Sequence, residues 1–106
     1  MKQIKAVVHR HRVADVVHAL DAAGFRHVNL FDVKGLSHTL AQREQEYSVE
    51  LGDKVVGEVQ IEIFCEDSDV SRATDLVRRN ARTGQADGGW IHVSAVEQSL
   101  PINGEP

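Results

Sequence analysis

Apolar and polar positions alternate from the start of the chain. Ile4, Ala6 and Val8 fall on one side of a strand over about residues 2–9, with Lys5 and Val7 between them. The four polar residues His9-Arg10-His11-Arg12 close that strand. The period then lengthens: Val13, Val16, Val17, Leu20 and Ala23 recur at helical spacing, and Gly24 supplies the stop, which predicts a helix over about 13–23. From His27 the pattern Val28, Leu30, Phe31, Val33 marks a second strand ending at Lys34-Gly35.

Residues 36–46 are polar without a period and predict a flexible loop. Tyr47, Val49 and Leu51 alternate, Gly52-Asp53-Lys54 turns, and a long strand runs from Val55 through Val59, Ile61, Ile63 and Phe64 to Cys65. A short hairpin is therefore expected before the main part of that strand. Asp67-Ser68-Asp69 carries N-cap chemistry, and acid there suits the positive end of a helix. Val70, Ala73, Leu76, Val77 and Ala81 line one face of that second helix, a glycine-rich loop follows, and a fourth strand spans 90–96. The order βαββαβ is the ferredoxin-like α+β arrangement, an antiparallel sheet with helices on one face. Residues 1–97 read as one such domain, with a tail over 98–106 that holds both prolines. Val8, Ile61, Ile63 and Val93 are expected to make the helix-free face too apolar for water, which predicts oligomerisation.

Composition narrows the class. A chain of 106 residues, 42% hydrophobic and 26% charged, is an ordinary globular domain. Its net charge of −4 leaves no overall basic footprint for nucleic acid. A lone cysteine excludes an internal disulfide and fits a reducing compartment. The opening residues enter a strand directly, with no secretory pattern, and no apolar run reaches the roughly 20 residues that cross a bilayer. The expected address is bacterial cytoplasm, without membrane insertion.

The chemistry concentrates between Arg82 and Val93. Gly84, Gly88 and Gly89 permit positive φ and close backbone approach, so successive N–H groups can form an anion-binding nest. A helix cap at Gly84 followed by a tight turn at Asp87-Gly88 explains the same residues. His9 and His11 share a strand face, but flanking arginines oppose a cation. A solvated basic strand end or an anion-attracting rim is preferred, and no metal site is expected. His18 reads as a surface residue and His92 as a strand residue beside Trp90. Cys65 reads as a small buried hydrophobe, since no flanking cation would lower its pKa. Glu62 reads either as an intersubunit partner of Lys34 or as a solvated residue of the sheet edge. Trp90 reads as a core residue or a stacking surface, core being favoured. Arg78, Arg79 and Arg82 complement the C-terminal dipole of the second helix, which accounts for them without a ligand. No carboxylate pair, triad or metal cluster stands at usable spacing, so no enzyme is expected.

Three stretches resemble the PII signal-transduction proteins: the opening Met-Lys-Gln-Ile-Lys-Ala-Val-Val, the strand end Asp32-Val33-Lys34-Gly35, and Val59-Gln60-Ile61-Glu62-Ile63 followed by Ala81-Arg82-Thr83-Gly84 through Gly89. The likeness covers about residues 1–36 and 56–97. It implies a homotrimer that binds an adenine nucleotide in each of three intersubunit clefts and signals through the loop after Gly35. By the same likeness Asp87, Gly88 and Gly89 cradle phosphate, and Val7 and Phe64 pack the adenine. Asn29 faces the ligand from the neighbouring subunit, while Gly35, Ser37 and His38 meet the phosphates at the loop base.

The departures from the family pattern carry expectations of their own. Trp90 stands where the family has a lysine, and Pro101 and Asn103 stand where it has arginines. Loss of three cations from the outer phosphates predicts that ADP or AMP binds better than ATP. Thr39 replaces a glutamine that helps hold magnesium and 2-oxoglutarate, and the loop has no tyrosine at the modification position, since Tyr47 belongs to the hairpin. These features resemble divergent PII-like proteins, including carboxysome-associated ones linked to bicarbonate. That likeness implies a bicarbonate site at His38 or Arg43 and a partner that is a transporter or a carbon-metabolism protein. The alternatives are a slow ATP hydrolase of this fold and a structural trimer without ligand.

Overall fold

The computed structural model describes residues 1–33, 58–84 and 89–104. They form two strand–helix–strand units: β1 (Lys2–His9), α1 (Val13–Ala22) and β2 (Val28–Val33), then β3 (Glu58–Cys65), α2 (Val70–Ala81) and β4 (Gly89–Ala95). The sheet order is β2-β3-β1-β4 with every neighbouring pair antiparallel. This is the expected ferredoxin-like α+β fold. The loop 36–46, the hairpin through residue 57 and residues 85–88 lie outside the described residues.

The period-2 pattern places the core. Ile4, Ala6 and Val8 of β1 and Val59, Ile61, Ile63 and Cys65 of β3 are buried under the helices. They meet Val16 and Leu20 of α1 and Ala73, Val77 and Ala81 of α2. Gly24 ends α1 as the sequence suggests, with φ +90°. Its N–H donates to the Asp21 carbonyl at 3.0 Å and the Phe25 N–H to the Leu20 carbonyl at 3.0 Å. These are the paired bonds of a Schellman cap, and Phe25 folds back onto Leu20 within the core.

Each strand enters its helix through a 3₁₀ turn, Arg10–Arg12 and Asp67–Asp69. Neither turn supplies a side-chain cap bond. The Asp67 carboxylate instead pairs with the Met1 amino group at 3.0 Å, and Asp69 pairs with Arg72 at 3.2 Å. The two helices cap one another. Arg72 at the start of α2 donates to the Ala23 carbonyl at the end of α1, 2.7 Å, while its guanidinium lies 4.5 Å from the Phe25 ring centroid. Arg12 before α1 donates to the Asn80 carbonyl at the end of α2, 3.0 Å. Orphan carbonyls at both C-termini thus receive a cation, which also offsets the negative dipole end.

The helix-free face corrects an expectation. Val8, Ile61 and Ile63 lie on the helix-covered side, and Val93, opposite Ile4, shares that side although it is half exposed. The other face carries Gln3, Lys5, Gln60, Glu62, Asn29 and His92. Val7, Val33 and Phe64 lie half-buried among these polar residues, so the face is mixed, and the apolar residues named from sequence, being on the other side, give no argument for oligomerisation. Phe31 and Trp90 are the large exposed hydrophobics on it.

Candidate functional site

A cleft of about 500 Å³ lies where the last turn of α2 passes the start of β4. β1 forms its floor through Val7 and Val8, and Val77 and Ala81 of α2 form an apolar wall. Gly89 and Ile91 of β4 lie on the side of that wall, Trp90 lines the rim from the strand's other face, and Arg78, Arg82 and Thr83 stand at the helix end. The cleft follows from the sheet register. Val8 lies opposite Gly89 and Val7 opposite Trp90, which brings the end of β1 and the beginning of β4 together. Gly89 adopts φ +121°, and a Cβ added there would run into the Val7 carbonyl. Residue 89 is therefore required to be glycine for the strand to close on β1.

Val7, Gly89 and Trp90, three of the residues singled out from sequence, meet at this cleft. Trp90 does not sit in the core: its side chain is 74% exposed, because position 90 points away from the helices. Asn29 and Phe64 lie elsewhere on the sheet. Asn29 is opposite Glu62 and Phe64 opposite Gln3, whereas Val7 is opposite Gln60. Four residues of extended chain separate Phe64 from the Val7 position, roughly 13 Å at strand spacing. Within one chain Asn29 is set two strands across from Val7, and Phe64 lies towards the far end of β3. Gly35, Ser37, His38, Arg43, Asp87 and Gly88 lie outside the described residues.

Glu62 is not a residue of the sheet edge, since β3 is flanked by β2 and β1. Its carboxylate accepts from Gln3 Nε2 at 2.7 Å and from Asn29 Nδ2 at 3.3 Å, and Ser94 Oγ extends the chain to Gln3 Oε1 at 3.5 Å. Cys65 is buried, and burial, followed by the nearby charges of Asp69 and Glu66, pushes its thiol pKa up. That environment suppresses the thiolate and leaves the residue a packing element. His9 and His11 face each other with ring centroids 5.8 Å apart, and among the described residues no group of three metal-ligating side chains converges. His18 is exposed on α1, and His92 is exposed on β4.

Sequence reasoning missed the helix side of the cleft. The helix dipole accounts for Arg78 and Arg82 and leaves a nucleotide role for Arg82 open but unforced, yet Arg78 in the last turn of α2 and Arg82 just after it both line the cleft at Gly89. Their i, i+4 spacing at the entrance to a glycine loop was the available signal.

The nitrogen regulatory protein P-II family model matches residues 1–105. The chain belongs to this family. A P-II protein of Bradyrhizobium diazoefficiens is 34% identical over 106 aligned residues, covering 96% of this chain and 91% of that protein. P-II 1 of Methanothermobacter thermautotrophicus is 31% identical over 96 residues, 91% of this chain and 84% of that protein. A P-II protein of Azospirillum brasilense is 33% identical over 106 residues. At this identity the chain is a divergent P-II member, a regulatory signal-transduction protein, as its relatives are named. Among the described residues no helix is long and apolar enough to cross a membrane.

Proposed function

We propose that this P-II chain assembles as a homotrimer and takes an adenine nucleotide, ADP or AMP in preference to ATP, in clefts completed by a neighbouring subunit. The observation that carries the reading is the cleft at Gly89, where backbone, apolar wall and Trp90 converge on a volume of about 500 Å³. Clefts of this size suit small ligands, and this one joins an apolar wall to the polar groups of Arg78, Arg82 and Thr83. A second subunit is what would bring an Asn29–Phe64 group to a Val7–Gly89 group, since one chain holds them apart. The preference for fewer phosphates rests on Trp90, Pro101 and Asn103 standing at positions that are cationic in the family pattern.

Bicarbonate, held at His38 or Arg43 beside the nucleotide, is the proposed co-ligand, and the segment after Gly35 is the proposed contact for a transporter or carbon-metabolism protein. Nucleotide binding changes partner affinity only to the extent that it favours one state of that segment. The test is unfolding of the purified protein with AMP, ADP, ATP and cyclic AMP, each with and without bicarbonate. A ligand that binds only the folded state stabilises it by about 2.7 kcal/mol at a hundredfold excess over Kd. A larger shift for AMP or ADP than for ATP, increased by bicarbonate, supports the reading. Conversion of ATP in the same samples would favour the slow hydrolase, and no shift with any nucleotide would favour a ligand-free trimer.

A further inference from the structure

We infer that Arg78 and Arg82 form the phosphate-binding side of the cleft, so that a nucleotide lies with its phosphates against the last turn of α2. The inference rests on the proposed nucleotide reading and adds to it the residues that hold the anion. Both arginines line the cleft opposite Gly89 and Trp90. Arg78 lies in the last turn of α2 and Arg82 directly follows the helix, and both line the same cleft, where two guanidinium forks can converge on one anion.

Among the described residues, ion pairing separates them from neighbouring arginines. Arg10 holds Asp32 at 2.7 Å, Arg12 holds Asp15 at 3.2 Å, Arg72 holds Asp69 at 3.2 Å and Arg79 holds Asp75 at 3.4 Å. Arg78 and Arg82 hold no carboxylate among the described residues, and no described acidic residue lines the cleft with them. Within the described residues no carboxylate competes with a ligand for their charge. A helix C-terminus ordinarily repels an anion through its dipole and orphan carbonyls. Here Arg12 occupies the Asn80 carbonyl at 3.0 Å, which reduces that repulsion next to the cleft. The cations that strand β4 and the tail lack at Trp90, Pro101 and Asn103 are thereby supplied from the helix.

Arginine–phosphate contacts are charge-assisted and frequently bidentate, so their loss is felt in proportion to the phosphates engaged. The experiment is isothermal titration of wild type, Arg78→Gln, Arg82→Gln and the double variant with adenosine, AMP, ADP and pyrophosphate. Far-ultraviolet circular dichroism confirms that each variant is folded. Each single substitution is expected to weaken ADP binding by about tenfold or more, with a smaller effect on AMP and none on adenosine. Equal ADP affinity in wild type and the double variant would overturn the inference while leaving the nucleotide reading standing. If wild type binds no nucleotide, that reading fails, and pyrophosphate decides the cation pair alone. Binding abolished in the double variant supports it, whereas pyrophosphate binding that is absent or unchanged overturns it.

Discussion

At the scale of single residues, two glycines with positive φ have different reasons to be glycine. Gly24 has φ +90° with nothing near its missing Cβ, so only the backbone conformation disfavours a side chain. Gly24→Ala is expected to lower stability by about 1 kcal/mol, read from urea midpoints. Gly89 adds a collision with the Val7 carbonyl, and Gly89→Ala is expected to lose on the order of 2–4 kcal/mol. Equal losses at the two sites would mean that β4 slips away from β1 without penalty. Asp67 gives a pH dependence. Its hydrogen bond to the Met1 amino group, with added attraction from that charge, holds its pKa below the ordinary aspartate value. Its folded pKa is the lower one, so its contribution is full above the unfolded value near ~4 and is lost as acid carries the pH down through the folded value. Asp67→Asn is expected to flatten the acid limb of stability below about pH 4 and leave the neutral region nearly unchanged. A variant whose acid limb parallels that of wild type would refute the pairing.

At the scale of elements, the period of each segment already specified what it became. The helical repeat from Val13 to Ala23 became α1, and the alternation around Ile61 became a strand with every second residue buried. Ile61→Ala, at a fully buried position between both helices and two flanking strands, is expected to lose about 2–5 kcal/mol in denaturant unfolding. The reciprocal caps were not legible, because Arg12 reaches Asn80 and Arg72 reaches Ala23 across long stretches of sequence. Periodicity reports only neighbours within an element. Arg72→Ala removes a carbonyl bond, an exposed ion pair and the contact over Phe25, and is expected to lower stability by about 1–2 kcal/mol. Asp69→Ala, which removes the exposed ion pair and one acid at the start of α2, is expected to lose less, about 0.5–1 kcal/mol. A reversed order of those two losses would show that the ion pair, not the cap, matters.

At the scale of the whole molecule, one chain holds the candidate ligand residues Asn29 and Phe64 apart from Val7 and Gly89 on its sheet. If neighbouring subunits complete the clefts, folding and assembly are linked, and the thermal midpoint rises with protein concentration. Calorimetry at two concentrations tenfold apart, with sedimentation to give the mass, is expected to show both the rise and a trimer. A concentration-independent midpoint would show that assembly adds nothing to the stability of the subunit.

The sequence by itself determined the element order, the ferredoxin-like sheet, most of the core and the family, because hydrophobic period and glycine placement act locally and survive divergence. It also singled out Gly89, since the demand for positive φ is a property of the local backbone. Tertiary structure alone decided which face of each strand was covered. The alternation of Val59, Ile61 and Ile63 with Glu58, Gln60 and Glu62 separates an apolar from a polar face, but which of the two the helices cover is settled by packing against α1 and α2. It likewise placed Trp90 outside the core and turned Arg78 and Arg82 from dipole partners into walls of a cleft, because the strand they face enters from the other side of the glycine loop.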